Sequence, residues 1–207
     1  MNLRRSLLAL FLVVPLVGLT LLTPQRASSA ATAGDFLVTM SETAINQLGD
    51  KDTSQAQKED QFRELVSEAF DIPRISKFIL GVNWRSASEE QRKAFIAAFE
   101  ESNMRRFLPF FEDYKGEKFV VLSERQDSNN DKVFFVSSKI DRPGSEPIEV
   151  EWRVYKKDGK YKILDAVVEG VSMALSLRQE YNSVIQQSGL DGLISQLEKS
   201  AGQPVQQ

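Results

Sequence analysis

The chain has 207 residues, and its 26 lysine and arginine residues against 29 aspartate and glutamate residues give a formal net charge of −3 at pH 7. It contains neither histidine nor cysteine. That composition excludes thiol nucleophiles, the usual proton shuttle near neutral pH and most ligand sets for transition metals. The acidic balance also argues against a nucleic-acid partner.

Residues 1–33 predict a cleaved targeting segment. Arg4 and Arg5 precede an apolar run from Leu7 to Leu22, and small residues suited to cleavage after Ala30 or Ala33 follow, of which Ala33 is the preferred site. The alternative is a retained membrane anchor, but the run is shorter than the roughly 20 residues that cross a bilayer. We therefore expect an exported protein.

Cleavage would leave one acidic domain. Removing residues 1–33 takes away Arg4, Arg5 and Arg26 and no acid, so the formal charge changes from −3 to −6. Residues 34–200 are enough for a single domain with a sizeable core but not for two ordinary ones. Residues 201–207 are predicted to be a flexible tail.

The first part of this domain is predicted to be helical. Asp35 is expected to cap a helix that ends at Gly49, and residues 50–60 are expected to form a polar loop. Apolar residues recur at helical spacing over residues 62–70, and a short helix is predicted over residues 72–80. Helices at these positions need another layer to cover their apolar sides.

A longer helix is predicted to follow. Ser88 and Gln91 form a capping box at its start, and Pro109 is expected to kink or end it. The helix carries an aromatic stripe, which either packs in an ordinary core or lines a binding site. The pattern alone leaves both readings open.

Two strands are predicted over residues 119–125 and 133–140. Acidic and amide residues at alternate positions of the polar loop between them imitate the start of a calcium loop. Lys132, however, occupies the position where such a loop requires glycine. We therefore predict a hairpin loop and no metal site.

The clearest pattern in the chain is a hairpin between residues 148 and 168. Apolar residues alternate with charged ones up to Val154, and Asp158-Gly159 suits a two-residue type I′ turn. Counting back from the turn predicts one apolar wall with three opposed pairs, namely Val154 with Ile163, Trp152 with Asp165 and Val150 with Val167.

The last part of the chain is predicted to be helical again. Ser176 and Gln179 suggest a capping box, Gly189 ends that helix, and a short amphipathic helix follows. Helices before and after four strands predict an α+β fold with an antiparallel sheet of about four strands packed against several helices.

Few residues offer catalytic chemistry. Ser172 lacks the second glycine of a nucleophile elbow and has no histidine base. Asp165 is the one carboxylate that strand counting places on the apolar wall, so a raised pKa and an acid/base role compete with a satisfied structural role. The structural role is favoured, because buried polar groups usually have hydrogen-bond partners. We predict no enzyme activity.

Several segments together resemble the MlaC or toluene-tolerance family of periplasmic phospholipid-binding proteins. The matching residues, in chain order, are Phe70-Asp71, Leu80-Gly81, Trp84-Arg85, Ala87, Gln91-Arg92, Phe95, Phe99, Tyr114, Gly116-Glu117, Trp152-Arg153, Asp158-Gly159, Asp165, residues 169–173, Gly189 and residues 191–193. The chain departs from the family over residues 105–110, where the family usually has an uninterrupted helix that contains tyrosine.

The resemblance implies a carrier that shuttles phospholipid between the outer and inner membranes and so maintains outer-membrane lipid asymmetry. Its implied partners are phospholipid, an inner-membrane Mla ABC transporter complex and an outer-membrane Mla lipoprotein-porin complex, with no cofactor beyond the bound cargo. Moving two chains of about fifteen methylenes each into water would cost roughly 24 kcal/mol at ~0.8 kcal/mol per CH₂, so an enclosed apolar cavity between sheet and helices is expected.

The expected lining residues come from both layers. They are Leu80, Trp84, Phe95, Phe99, Phe107 and Phe110 from helices, and Ile148, Val150, Trp152, Val154, Ile163, Val167, Val171 and Met173 from the sheet and its end. The alternatives are a periplasmic adaptor or chaperone-like protein that binds apolar protein segments, and an enzyme that uses Asp165 on a hydrophobic substrate.

Overall fold

Helices cover one face of an antiparallel meander in the computed structural model of the chain, which describes residues 31–112 and 114–201. The first five helices are α1 (Ala33–Leu48), α2 (Gln55–Ala69), α3 (Ile72–Leu80), α4 (Asn83–Ser86) and α5 (Glu89–Glu112). The predicted targeting segment up to residue 30 and the end of the predicted tail lie outside the described residues.

The sheet has five strands in the order β1-β2-β3-β4-β5. They are β1 (Lys118–Asp127), β2 (Asn130–Arg142), β3 (Ser145–Lys157), β4 (Lys160–Val168) and β5 (Val171–Ser172). Each strand pairs antiparallel with the next one in the chain. The predicted α+β class with an antiparallel sheet is confirmed, and β5 is a short addition to the four predicted strands.

The turn between β3 and β4 is as predicted. Asp158 and Gly159 have φ of 51° and 78°, the left-handed conformation that a type I′ turn requires at both central residues. The turn leads directly into the pair formed by Lys157 and Lys160. Local turn chemistry therefore determines the start of this hairpin.

The last helix, α6 (Met173–Ala201), is interrupted at Gly189, whose φ of 73° and ψ of 175° are not helical. The predicted break at this glycine is therefore present. The predicted capping box of Ser176 with Gln179 is wrong, because the helix already begins at Met173. The Ser176 hydroxyl instead donates to the carbonyl of Ser172 at 2.9 Å.

Two other helix starts differ from the predictions. Thr32, not Asp35, caps α1, and Asp35 completes a capping box by accepting from the Thr32 backbone N–H at 2.9 Å. Ser54 and Gln57 form another capping box, so α2 begins inside the predicted polar loop. Both helices therefore start earlier in the chain than apolar periodicity indicates.

The structure confirms one cap, and of the two effects predicted for Pro109, a kink or an end of the helix, the end is wrong. Ser88 and Gln91 exchange backbone-to-side-chain hydrogen bonds of 3.0 and 3.1 Å, as the capping box requires. Pro109 lies inside α5 and does not end it. The proline leaves the Arg105 carbonyl without its usual backbone donor, and three residues follow it before α5 ends.

Buried apolar residues form three separate cores. The helical core joins α3, α5 and α6 through Ile79, Phe95, Tyr181, Leu193 and neighbours. The sheet core contains Ala33, Leu37, Ala69, Val136, Val154, Tyr161 and Ile163, and the lateral core contains Ala44, Leu48, Phe62, Leu65, Met104 and Leu108. Partly buried apolar residues lie between these cores.

Candidate functional site

The inner face of the sheet is set by the pairing of β2 with β3. On β3 the alternating residues Ile148, Val150, Trp152 and Val154 point to one side, because side chains alternate along a strand. Their partners on β2 are respectively Ile140, Ser138, Val136 and Phe134. The predicted apolar wall therefore continues across β2.

The register with β4 is only partly as predicted. Val154 pairs with Ile163 as expected, but a register shift follows and Trp152 pairs with Ala166, not with Asp165. Val150 likewise pairs with Val168, not with Val167. The shift is a β-bulge at Leu164, which places one extra residue in β4. Every residue of β4 after Leu164 therefore faces the side opposite to the one that counting from the turn predicts.

One end of the inner face is closely packed. Val136 and Val154 are fully buried and Ile163 is 3% exposed. Helix α1 covers these residues with Leu37, and α2 contributes Ala69 to the same sheet core. This closed end is an ordinary sheet-on-helix interface.

The other end of the same face is apolar but belongs to none of the three cores. Four half-buried residues define this open end, namely Ile140 and Ile148 with Ala166 and Val168. Val150 lies among them and is 5% exposed, yet it too lies outside the three cores. The open end thus presents apolar surface without the close packing of the closed end.

A polar contact lies between the two ends. The Trp152 indole N–H donates to the Ser138 hydroxyl oxygen at 2.8 Å, and that hydroxyl donates to the Val150 carbonyl at 3.1 Å. Trp152 is partly buried and also packs against the sheet core. Its ring is therefore fixed at the boundary, with its polar atom satisfied.

The helix residues expected to line a site lie mainly in the helical core. Leu80, Phe95 and Phe99 are buried there, and Trp84 packs against the same core. The Phe95 and Phe99 rings lie 6.1 and 6.4 Å from the ring of Tyr181 on α6. The structure therefore does not bring these four residues together with the sheet residues in one core, and their role in binding stays a prediction.

The remaining predicted residues are more accessible. Phe107 and Phe110 lie near the end of α5 with ring centroids 6.3 Å apart, and Phe110 is 71% exposed. Val171 on β5 is exposed, whereas Met173 at the start of α6 and Val167 on β4 are half-buried. Val167 pairs with Glu151 and so does not face the same way as Val150.

Partly buried apolar residues lie where the cores meet. Phe70 packs against both the helical and the sheet cores, Met40 against the sheet and lateral cores, and Val66 against the helical and lateral cores. These three residues therefore connect the cores to one another.

Asp165 has a structural position. Its carboxylate accepts from the Ser172 hydroxyl at 2.6 Å and from the Ala174 backbone N–H at 2.9 Å. The second bond satisfies a donor at the start of α6, where carboxylates are favourable. Of the two roles considered for Asp165, this geometry fits the satisfied structural one.

Sequence reasoning missed Ile140, Ala166 and Val168 as members of the inner face. Ile140 could have been found from the alternation of Phe134, Val136 and Ser138 along β2, although the serine interrupts the apolar pattern. Ala166 and Val168 could not, because the bulge in β4 leaves no local sequence signal.

Within the residues that the structure describes, no group of three or more histidine, cysteine, aspartate or glutamate side chains could hold a metal ion. A search of the same residues for an apolar helix of membrane-spanning length finds no candidate.

Fold and inner face together define a class of α+β proteins in which helices cover one face of an antiparallel meander. A sequence profile described as MlaC protein matches residues 39–199. Because that match covers well over half of the chain, the protein belongs to the MlaC family, and the resemblance noted from the sequence is confirmed.

Two characterised relatives are similar to the chain. It is 30% identical over 129 residues to the intermembrane phospholipid transport system binding protein MlaC of Haemophilus influenzae, in a match that spans 61% of this chain and 60% of that protein. It is 23% identical over 197 residues to the toluene tolerance protein ttg2D of Pseudomonas putida, covering 91% of this chain and 85% of that protein.

A solved structure shares the fold. The phospholipid-binding protein from Ralstonia solanacearum, determined in complex with a phospholipid, superposes with a TM-score of 0.72 and is 20% identical. The match covers 83% of this chain and 98% of that one. At this identity the likeness supports the fold and not the ligand.

Proposed function

We propose that this protein is a periplasmic phospholipid carrier whose open end of the sheet contacts the acyl chains. The observation that carries the proposal is the contrast within the inner face: Ile163 is buried in the sheet core, whereas Ile148 is half-buried outside all three cores. Apolar surface that the protein does not cover itself is favourable for an apolar ligand.

The Haemophilus relative supports the same cargo, because it is named as an intermembrane phospholipid transport system binding protein. We extend the proposal to carriage of phospholipid between the inner and outer membranes, which maintains outer-membrane lipid asymmetry. The proposal also includes docking to an Mla ABC transporter and to an outer-membrane lipoprotein-porin complex. The two complexes are expected to compete for one surface near the opening of the site.

The proposal includes no catalytic step. Asp165 is engaged by two donors in a structural contact. Phospholipid is then cargo that leaves unchanged, and recovering intact lipid after long incubation of the loaded protein tests that point.

The test is the lipid that copurifies. We expect mass spectrometry of organic extracts to detect phospholipid with the wild-type protein and much less with Ile148→Glu, because a buried unpaired charge is unfavourable by several kcal/mol. Glu149→Lys is the matched control. Glu149 is exposed and directly follows Ile148 on β3, so its side chain points to the opposite face of the sheet. Thermal unfolding of both variants should show that the fold persists.

Two outcomes would contradict the proposal. If Ile148→Glu keeps the wild-type lipid load, or if it unfolds the protein while Glu149→Lys does not, the open end is not the lipid site. Apolar peptide recovered in place of lipid would instead favour the adaptor or chaperone-like role.

We also infer that the targeting segment is cleaved after Ala30 rather than Ala33. Thr32 caps α1, and Ala33 is fully buried in the sheet core. A cut after Ala33 would remove both, and loss of an N-cap destabilises a helix by about 1 kcal/mol. Intact-mass measurement of the protein recovered from the periplasm tests this, and a mass that begins at Gly34 would contradict it.

A further inference from the structure

Three large apolar side chains are exposed together near the ends of α3 and the beginning of α6. Phe78 on α3 is 41% exposed, Val82 between α3 and α4 is 71% exposed, and Leu175 on α6 is 47% exposed. Single exposed apolar residues are common on proteins, but neighbouring ones indicate a contact surface.

Contacts with Arg178 connect them. The Arg178 guanidinium lies 5.1 Å from the centre of the Phe78 ring. A Cβ built at Gly81, the residue before Val82, would lie 3.0 Å from a terminal nitrogen of Arg178. Leu175 precedes Arg178 by three residues on α6 and therefore lies on the same side of that helix. The three residues therefore lie in the neighbourhood of one arginine side chain.

The same surface is basic. Arg74 and Lys77 are exposed on α3 on the side away from the buried Ile75 and Ile79, and Arg85 is exposed on α4. The sequence contains no acidic residue between Asp71 and Glu89. This basic segment stands out in a chain whose formal net charge is −3.

Its cations are available for a partner. In the described part of the chain, the side-chain ion pairs involve other residues, and none includes Arg74, Lys77, Arg85 or Arg178. The Arg74 guanidinium stacks on the Tyr155 ring at 4.1 Å. On α6, Glu180 follows Arg178 by two residues and so points away from it.

We propose that this basic apolar surface, formed by Phe78, Val82, Leu175, Lys77, Arg85 and Arg178, binds the surface of a membrane that contains anionic phospholipid. Charge complementarity identifies the partner: cations attract the anionic head groups, and the apolar side chains enter the interface between head groups and acyl chains. The inference goes beyond lipid carriage and does not depend on it, because membrane contact can be measured without cargo transfer.

Flotation of the purified protein with vesicles tests the proposal. We expect binding to vesicles of equal parts phosphatidylglycerol and phosphatidylcholine, weaker binding to phosphatidylcholine alone, and loss of binding in 0.5 M salt, since salt screens exposed charges. Lys77→Glu combined with Arg85→Glu should weaken binding at least about tenfold, because each basic residue near an anionic surface contributes roughly fivefold.

Matched controls use other exposed positions. Lys157→Glu with Lys160→Glu reverses two exposed charges at the β3–β4 turn and should leave vesicle binding unchanged. Val82→Ser should weaken binding, whereas Leu122→Ser, which removes a 55% exposed leucine from β1, should not. Thermal unfolding and the copurifying lipid should remain as in the wild type for all four variants, which separates this inference from the proposed cargo.

Equal effects of the test and control variants would overturn the inference, as would equal binding to the two kinds of vesicle or the absence of binding to both. Light scattering adds a further outcome. If the protein is a dimer that Val82→Ser converts to a monomer, the surface joins two copies of this chain and does not bind a membrane.

Discussion

Ile163 and Ile148 lie on the same face of the same sheet but in different surroundings. Ile163 is 3% exposed and belongs to the sheet core, where α1 and α2 cover it. Ile148 is half-buried, and its partner Ile140 is also outside the three cores. The comparison shows that an apolar strand pattern indicates which face is turned inward, but not whether the protein itself fills the space in front of it.

Matched alanine substitutions should separate the two ends most strongly. Ile163→Ala is expected to lower the free energy of unfolding by about 2–5 kcal/mol, the range for isoleucine in a packed core. Ile148→Ala should lower it by less than ~1 kcal/mol, because fewer packed atoms are lost. Urea unfolding of both variants after removal of lipid measures the difference, and equal losses would mean that both ends are packed alike.

The pH dependence of the free energy of unfolding should show that the helical core excludes water from the Tyr181 hydroxyl. The pKa of Tyr181 is raised from its usual 10.0 to about 12, mainly by burial and also by the Glu180 carboxylate, while Arg106 partly offsets the rise. The phenol is therefore neutral in the folded protein at pH values where it ionises in the unfolded chain. Its contribution to stability is complete below pH 10 and is lost as the pH rises toward 12, by roughly 3 kcal/mol at most.

Tyr181→Phe gives the comparison for that prediction. The wild type should lose more stability than this variant between pH 10 and pH 12, as measured by urea unfolding at each pH. If the two proteins lose the same amount, water reaches the Tyr181 hydroxyl, and the helical core is more open than the structure indicates.

Asp165 should have a smaller effect, because it fixes the start of α6 and not a core. Asp165→Ala is expected to lower the free energy of unfolding by about 1 kcal/mol, as for loss of a helix N-terminal carboxylate. Lipid should still copurify. A variant that folds normally but no longer turns over a hydrophobic substrate would instead support the enzyme alternative.

The hairpin was predictable because its signals are local. Asp158-Gly159 specifies the turn, and the alternation before Val154 specifies the inward face. The bulge at Leu164 was not predictable, because it coincides with a contact from a distant segment. The Asp71 backbone N–H donates to the Ile163 carbonyl at 3.1 Å, and Phe70 forms an isolated bridge with Ile163.

The candidate site was predictable only in part. The spacing of Phe95 and Phe99 correctly indicates a buried helix side, but periodicity does not identify what buries it. Here Tyr181 from α6 does so, within the helical core. Ile148 and Val150 needed only the strand pattern, whereas Val168 needed the bulge and therefore the tertiary structure.

The central claim, that acyl chains lie against the open end of the sheet, is tested most directly by photo-crosslinking. A benzophenone amino acid placed at Ile148 should crosslink to copurifying phospholipid, and the same amino acid at Glu149, on the opposite face of β3, should not. Mass spectrometry of the irradiated proteins would detect the added lipid mass. Crosslinking at Glu149 equal to that at Ile148, or no lipid adduct at Ile148 in protein that still carries phospholipid, would contradict the account.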